Sequence, residues 1–201
     1  MLATTQSRYN PTDLTIGETT GGLTTTPFIS VTVFKLTPDA ELPTYATTGS
    51  SCFDLRANLR VGEPVSGFKS NNTPTKTNPI ARTSDGVLTI DIDPGERFMI
   101  PTGLIFDLPE NTTLKIYPRS GLALKQALIL ANCVGIVDAD YVDPVFVILV
   151  NDSGNRIRIA SGDRIAQGEV VVNPPKTVFS ETKKPIKQKT NRAGGFGSTG
   201  K

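Results

Sequence analysis

Glycine and proline interrupt this sequence along its whole length, and no other feature limits its fold more. The 201 residues include 18 glycines and 15 prolines, and neither is well tolerated inside a helix. Short β-rich segments with alternating apolar residues lie between the interruptions, as at 29–36 and 87–92. Many short strands at regular spacing are typical of an all-β barrel or sandwich. We therefore predict an all-β fold with one short helix, at 121–127.

The predicted strands are 29–36, 87–92, 98–100, 104–108, 113–117, 128–131, 145–150, 156–159 and 169–172. They belong to a single domain at 28–180, because a chain of this length provides one hydrophobic core. Residues 1–27, rich in Thr and Gly, are predicted to form a loose extension. Residues 61–85 contain few apolar side chains, which predicts a long surface loop, with an ordered subdomain as the alternative. Residues 181–201 are basic and then Gly-rich, which predicts a flexible C-terminal arm.

Histidine is absent from the chain, and this limits its chemistry. Ser-His-Asp and Cys-His nucleophile systems are excluded, and so are His-ligated metal sites. Cys52 and Cys133 lie too far apart in sequence for a Cys-x-x-Cys site. If the protein is an enzyme, we expect carboxylates as its acid–base groups, supported by Arg, Lys, hydroxyl groups and backbone amides.

Charge and hydropathy argue against two classes of partner. The 21 Lys and Arg residues nearly balance the 19 Asp and Glu residues, for a net charge of +2, which predicts no binding to nucleic acid or to a membrane surface. No apolar run approaches the roughly 20 residues that span a bilayer. Two unpatterned cysteines and no recognisable signal peptide predict a cytoplasmic location, or the host cytoplasm for a viral protein.

Arg119, Ser120 and Gly121 follow a predicted strand and open the predicted helix. A helix N-terminus offers free amide groups, and the Arg and Ser side chains add donors, so this arrangement suits a phosphate. The alternative is a Ser N-cap beside a surface Arg.

Three carboxylates, Asp138, Asp140 and Asp143, surround Tyr141. Such a group could hold Mg²⁺ or supply a general base, and a polar turn is the alternative. Residues 162–167 indicate a turn with a structural ion pair. The Gly-rich segment 194–200 could cradle phosphates with its amides and stack an aromatic ring on a base, or it could be a disordered tail.

Taken together, five motifs resemble those of the trimeric, all-β dUTPase family, in the family's order. They are GSSCFDLRA at 49–57, PRSGLA at 118–123, GIVDADY at 135–141, GDRIAQ at 162–167 and GGFGSTG at 194–200. One such motif is weak, whereas five in order over most of the chain are specific. The resemblance implies a distorted jelly-roll β-barrel and a homotrimer with active sites shared between chains. It also implies hydrolysis of dUTP to dUMP and pyrophosphate, which keeps uracil out of DNA.

The resemblance further implies roles for individual residues. Asp138 would activate the water that attacks the α-phosphorus, and Tyr141 would pack against the deoxyribose and exclude a 2′-hydroxyl. The backbone of a hairpin at 132–137 would read the uracil edge and reject thymine and cytosine. The residues implied in this reading are Asn132, Gly135, Ile136 and Val137.

Phosphate binding is implied for the second, fourth and fifth motifs, through Arg119, Ser120, Gly121 and Gln167 and through the arm. Asp54 would orient waters on a Mg²⁺ ion whose direct ligands are phosphate oxygens. The arm would close over the nucleotide, with an aromatic ring on the uracil and hydroxyl groups at the outer phosphates. Its implied contact residues are Arg192, Phe196, Gly197, Ser198 and Thr199.

Two positions depart from the family's pattern. The family commonly has Arg-Gly-acidic after the tyrosine, where this chain has Val-Asp-Pro at 142–144. The arm usually carries an Arg five residues before its Phe. That position is Asn191 here, so Arg192, one residue nearer, is the candidate for the γ-phosphate contact.

Two other functions compete with dUTP hydrolysis. The related dCTP deaminases use a catalytic Glu on the strand after the third motif, and the corresponding segment 146–150 contains no carboxylate. A regulatory, protein-binding role on the same scaffold is the other alternative, and 61–85 is the candidate segment for a partner. Pyrophosphate release from dUTP, with dCTP and dTTP as controls, separates these functions.

Overall fold

The computed structural model describes residues 28–81, 86–187 and 189–190, which form fifteen strands and one helix. The strands are β1 (Thr32–Lys35), β2 (Thr44–Tyr45), β3 (Phe53–Arg56), β4 (Val65–Phe68), β5 (Pro74–Thr77), β6 (Ile80–Ala81), β7 (Leu88–Ile92), β8 (Arg97–Pro101), β9 (Leu104–Asp107), β10 (Thr112–Tyr117), β11 (Leu128–Leu130), β12 (Gly135–Asp138), β13 (Phe146–Asn151), β14 (Ile157–Ala160) and β15 (Arg164–Val172). The helix is α1 (Ser120–Gln126). Within these ranges, no helix is long and apolar enough to cross a membrane.

Two five-stranded antiparallel sheets contribute most of the core. Sheet I has the order β12-β10-β15-β3-β2, and sheet II has the order β11-β13-β8-β4-β5. A three-stranded sheet, β14-β7-β6, and the pair β1–β9 complete the fold. Their inward side chains form one hydrophobic cluster, to which Leu55 and Leu114 of sheet I and Ile100 and Leu149 of sheet II belong.

The all-β prediction with one short helix is confirmed. A strand lies at each predicted position, and α1 occupies the predicted helix. A tight turn follows β7, as the Pro94-Gly95 pair favours: the Glu96 N–H donates to the Asp93 carbonyl over 3.0 Å, and Gly95 has a φ of +75°. β15 begins at Arg164, five residues earlier than predicted, because polar side chains interrupt its apolar pattern while its backbone still pairs with β3 and β10.

The predicted long surface loop at 61–85 is wrong over most of its length. β4 and β5 form a hairpin within it, and β4 pairs with β8 at the edge of sheet II. Val65 is buried in the core, and a Cβ atom at Gly67 would overlap the Phe98 ring. The hairpin is held in place by backbone pairing of β4 with β8. It therefore needs few apolar side chains, and its sequence gives little sign of a strand. Residues 82–85 lie outside the described part of the chain.

The predicted hairpin at 132–137 is a turn between two sheets. β11 pairs with β13 in sheet II, whereas β12 pairs with β10 in sheet I. The chain therefore changes sheets at 131–134, and the turn residues lie at a corner of the fold. The predicted extension 1–27 and the end of the predicted arm, 191–201, lie outside the described residues.

Candidate active site

A polar cavity of about 310 Å³ lies beside sheet I, where β3, β15 and the start of α1 meet. It joins residues from the first, second and fourth motifs, which are far apart in sequence. Its polar lining includes Ser50, Asp54, Arg119, Ser120, Arg164 and Gln167. We call it the phosphate pocket, because its donors and positive charge suit an anion.

The Asp54 carboxylate links two arginines at this pocket. Its Oδ1 lies 3.0 Å from Nε of Arg119, and its Oδ2 lies 3.1 Å from Nη1 of Arg164. Asp54 and Gln167 are cross-strand partners in sheet I, which places Asp54 beside the start of β15. Two guanidinium groups against one carboxylate leave an excess of one positive charge and several free N–H donors.

Residues 118–121, which we call the phosphate loop, run from the end of β10 into the first turn of α1. Arg119 is the N-cap residue of α1, with φ −92° and ψ 126°, and no side chain caps the helix. The first amide groups of a helix have no intrahelical acceptor, so those of Ser120 and Gly121 are available to a ligand. Gln167 lines the pocket but donates from Nε2 to the Pro118 carbonyl over 2.9 Å, so it supports the loop.

The third motif occupies β12 and the turn after it. Gly135 and Val137 are buried against the core, whereas Ile136 and Asp138 on the other face are exposed. Tyr141 is 41% exposed, and its hydroxyl donates to the Pro144 carbonyl over 3.0 Å. Asn132 is exposed in the preceding turn. The side chains of Asn132, Ile136, Asp138 and Tyr141 thus form an exposed surface at this part of the fold.

The structure does not bring Asp138 and Arg119 together within one chain. Asp138 is paired with Thr113 near the start of β10, whereas Arg119 follows Tyr117 at the other end of that strand. The four residue steps from Thr113 to Tyr117 span about 13 Å along the strand. Asp138 and the phosphate pocket therefore lie at opposite ends of sheet I, whereas Gly135, at the start of the third motif, pairs with Ile116 near the pocket end.

The carboxylates do not form a metal-binding group on their own. Within the described ranges there is no set of three or more His, Cys, Asp or Glu side chains that could hold a metal ion, so Asp138, Asp140 and Asp143 do not make one. Asp54 is the only carboxylate among the described residues of the phosphate pocket. A Mg²⁺ ion there would need phosphate oxygens and waters as its main ligands, which is a coordination that Mg²⁺ commonly adopts.

Sequence reasoning missed several members of the pocket, of which Arg164 and Cys52 are the most informative. Arg164, in the fourth motif, was expected only in a structural ion pair, but its partner is Asp54 of the first motif. Cys52 also lines the pocket, and burial, followed by the charge of Glu169, raises the pKa of its thiol. The predicted contacts of Arg192, Phe196, Gly197, Ser198 and Thr199 lie outside the described residues.

Comparison with known proteins identifies relatives over most of the chain. The sequence model of the dUTPase family matches residues 87–200. A deoxyuridine 5'-triphosphate nucleotidohydrolase of Caulobacter vibrioides is 35% identical over 162 residues, which cover 81% of this chain and 87% of that protein. A protein of the same name from Hydrogenobaculum sp. is 36% identical over 168 residues, which cover 84% of this chain and 96% of that protein.

Solved structures share the fold at lower sequence identity. A mutant dUTPase of Staphylococcus bacteriophage 80alpha, solved with dUpNHpp, superposes with a TM-score of 0.60 at 19% identity, over 85% of this chain and 98% of that one. The dUTPase of Streptococcus mutans gives a TM-score of 0.55 at 19% identity, over 74% of this chain and 98% of that one. These likenesses confirm the predicted dUTPase-type β-barrel, and the extended sequence identity shows that the chain belongs to the dUTPase family.

Proposed function

We propose that this chain hydrolyses dUTP to dUMP and pyrophosphate. The observation that carries the proposal is the phosphate pocket, in which Asp54 orients Arg119 and Arg164 beside the open start of α1. The names of the relatives, deoxyuridine 5'-triphosphate nucleotidohydrolases, support dUTP as the substrate.

The phosphate pocket would bind the triphosphate. Arg119 presents a planar set of donors that matches phosphate oxygens, and the amides of Ser120 and Gly121 would add neutral donors. Asp54 limits how far Arg119 can move, because the ion pair engages its Nε. Preorganised donors of this kind stabilise the charge that develops as the α-phosphorus is attacked.

Asp138 would be the general base. It is exposed at the end of β12, and the chain has no histidine that could take its place. Its carboxylate would accept a proton from the attacking water. Tyr141 would form the wall beside C2′ of the sugar, with its ring held by the hydrogen bond to Pro144. The backbone of the turn that contains Asn132 would read the uracil edge.

The separation of Asp138 from Arg119 along sheet I supports a homotrimer with shared active sites, in which one nucleotide would contact these two residues on different chains. Sheet II offers a surface for such an assembly, since its outer face carries exposed Met99 and Phe146 and half-buried Ile148. A sheet that is apolar on both faces is typical of one that is covered on both.

Mg²⁺ would neutralise triphosphate charge and help to align the phosphates when it is bound. Asp54 is the side chain placed to hold waters of such an ion, although both of its oxygens accept from arginines in the structure. The arm at 181–201 would cover the nucleotide, with Phe196 on the base and Gly197 where the backbone comes close to the nucleotide. Ser198 and Thr199 would contact the outer phosphates, and Arg192 would contact the γ-phosphate.

The proposal is tested by measuring pyrophosphate release from dUTP, dCTP, dTTP and UTP with purified protein. Release from dUTP alone, dependent on Mg²⁺, is the expected result. Light scattering on the same sample gives the oligomeric state, for which a trimer is expected. Equal release from dCTP or dTTP, or no release from dUTP, would contradict the assignment.

A further inference from the structure

Two side-chain contacts meet where β10 runs into the phosphate loop. Tyr117, the last residue of β10, donates its hydroxyl hydrogen bond to Oε1 of Glu169 on β15 over 2.7 Å. Gln167, also on β15, donates from Nε2 to the Pro118 carbonyl over 2.9 Å. One contact holds Tyr117 and the other holds Pro118, which are the two residues before Arg119.

The backbone ladder cannot hold this segment by itself. The pairing of β10 with β15 ends at Tyr117, opposite Gln167, and the next residue is a proline, which has no N–H to donate. Arg119 then adopts an extended conformation before the helix begins. The position of Arg119 relative to β15 therefore depends on side-chain contacts across the two strands.

Tyr117 and Glu169 are placed to make such a contact. Cross-strand partners share a face of a sheet, as do residues two apart in a strand. Tyr117, Gln167, Glu169 and Asp54 thus lie on the same face of sheet I. The hydrogen bond to Glu169, together with burial and the charge of Glu169, raises the pKa of the Tyr117 hydroxyl, so it remains a donor at neutral pH.

We propose that Tyr117 and Glu169 are positioning residues that hold the phosphate loop so that Arg119 faces the phosphate pocket. Neither residue lines the phosphate pocket, so the pair would act through the backbone at Pro118. The identity of the substrate in this inference rests on the proposed function. The choice of Tyr117 and Glu169 rests on the contacts between β10 and β15.

The competing interpretation is that the pair only stabilises sheet I. A stabilising role alone would lower Tm and the fraction of active protein, and would leave the affinity of the folded protein for phosphate groups unchanged. A positioning role would weaken that affinity and raise KM, and it would lower kcat as well, because Arg119 stabilises the charge that develops in the reaction. The two interpretations therefore differ in a measurable way.

The experiment compares Tyr117→Phe and Glu169→Leu, which remove the hydrogen bond, with Glu169→Gln, which keeps an acceptor oxygen. For each variant, the dissociation constant for inorganic pyrophosphate, kcat and KM with dUTP, and Tm are measured. Asp93→Asn is the matched control, because it weakens an exposed hydrogen bond from Arg156 outside sheet I.

We expect Tyr117→Phe and Glu169→Leu each to weaken pyrophosphate binding and to raise KM roughly three- to tenfold. The double variant should be no worse than either single one, because both remove the same contact. Glu169→Gln and Asp93→Asn should stay within about twofold of the unaltered protein in both quantities.

Unchanged pyrophosphate affinity in Tyr117→Phe and Glu169→Leu would overturn the positioning role, as would a Glu169→Gln variant as impaired as Glu169→Leu. If the unaltered protein binds pyrophosphate but does not hydrolyse dUTP, the proposed function fails. The pyrophosphate affinities of the variants still decide the positioning role in that case, so the two failures are distinguishable.

Discussion

The phosphate pocket and the turn of the third motif differ in how complete they are within one chain. In the pocket, side chains from β3, the phosphate loop and β15 hold one another, with Asp54 only 13% exposed and bonded through both oxygens. In the third motif, Ile136 of β12 is 57% exposed and Tyr141 of the following turn is 41% exposed, and Asp138 lies at the end of an edge strand. One region is a network of side chains that hold one another within the chain, and the other is an exposed surface.

The difference shows which region should tolerate change. The pocket depends on contacts between distant segments, so a change in one residue disturbs the others. The turn contributes separate groups on a backbone set by β12, so each can be altered without loss of the fold. The predictions below test this contrast, from the largest expected effect to the smallest.

Replacing Asp138 by Asn should lower kcat about 10²–10⁴-fold, which is the usual cost of removing a general base. Affinity for dUTP should remain, because the phosphate pocket lies elsewhere in the chain. Stopped assays and calorimetric titration check the two quantities. Asp140→Asn, in the same exposed turn, is the control and should retain activity; a fully active Asp138→Asn enzyme would refute the role.

Mixing two inactive variants should restore activity if sites are shared. We expect Asp138→Asn and Arg119→Ala chains, unfolded together and reassembled, to regain about a quarter of the wild-type activity, since each site draws the two residues from different chains of a symmetric oligomer. Each variant reassembled alone is the control. A mixture as inactive as its components would mean that the two regions do not meet in one site.

Replacing Tyr141 by Ala should lower the ratio of kcat/KM for dUTP over UTP by about tenfold, because loss of one packed side chain costs discrimination of that order. The affinity for inorganic pyrophosphate should not change, since Tyr141 lies away from the phosphate pocket. Val142→Ala serves as the control, because Val142 is exposed beside Tyr141. An unchanged ratio would place the wall against the 2′-hydroxyl elsewhere.

Replacing Arg164 by Gln should have the smallest effect. Its side chain is 45% exposed, so loss of its ion pair should cost no more than about 1 kcal/mol of stability, while pyrophosphate binding weakens a few-fold through Asp54. Arg158→Gln is the matched control, since Arg158 makes a similar exposed pair with Asp91. Thermal melts and titrations measure both; equal affinities for the two variants would remove Arg164 from the pocket.

Local pattern in the sequence was sufficient for most of the secondary structure. Alternation of apolar residues, as in β7 and β14, predicts a strand because every second side chain must reach the core. Gly95 and Pro94 predict the turn after β7 through their own backbone preferences. The motif residues likewise predict the kind of chemistry from local information, because a guanidinium donates hydrogen bonds and a carboxylate accepts them wherever they lie in the fold.

Tertiary structure alone decided which of these groups meet. The link from Asp54 to Arg119 and Arg164 joins positions more than sixty residues apart, and it exists because β3 and β10 both pair with β15. The hairpin of β4 and β5 lacks a clear apolar pattern, and pairing of β4 with β8 fixes its position. The separation of Asp138 from Arg119 is likewise a property of strand pairing. Side-chain preferences act over a few residues, whereas strand order and register arise from contacts across the whole chain.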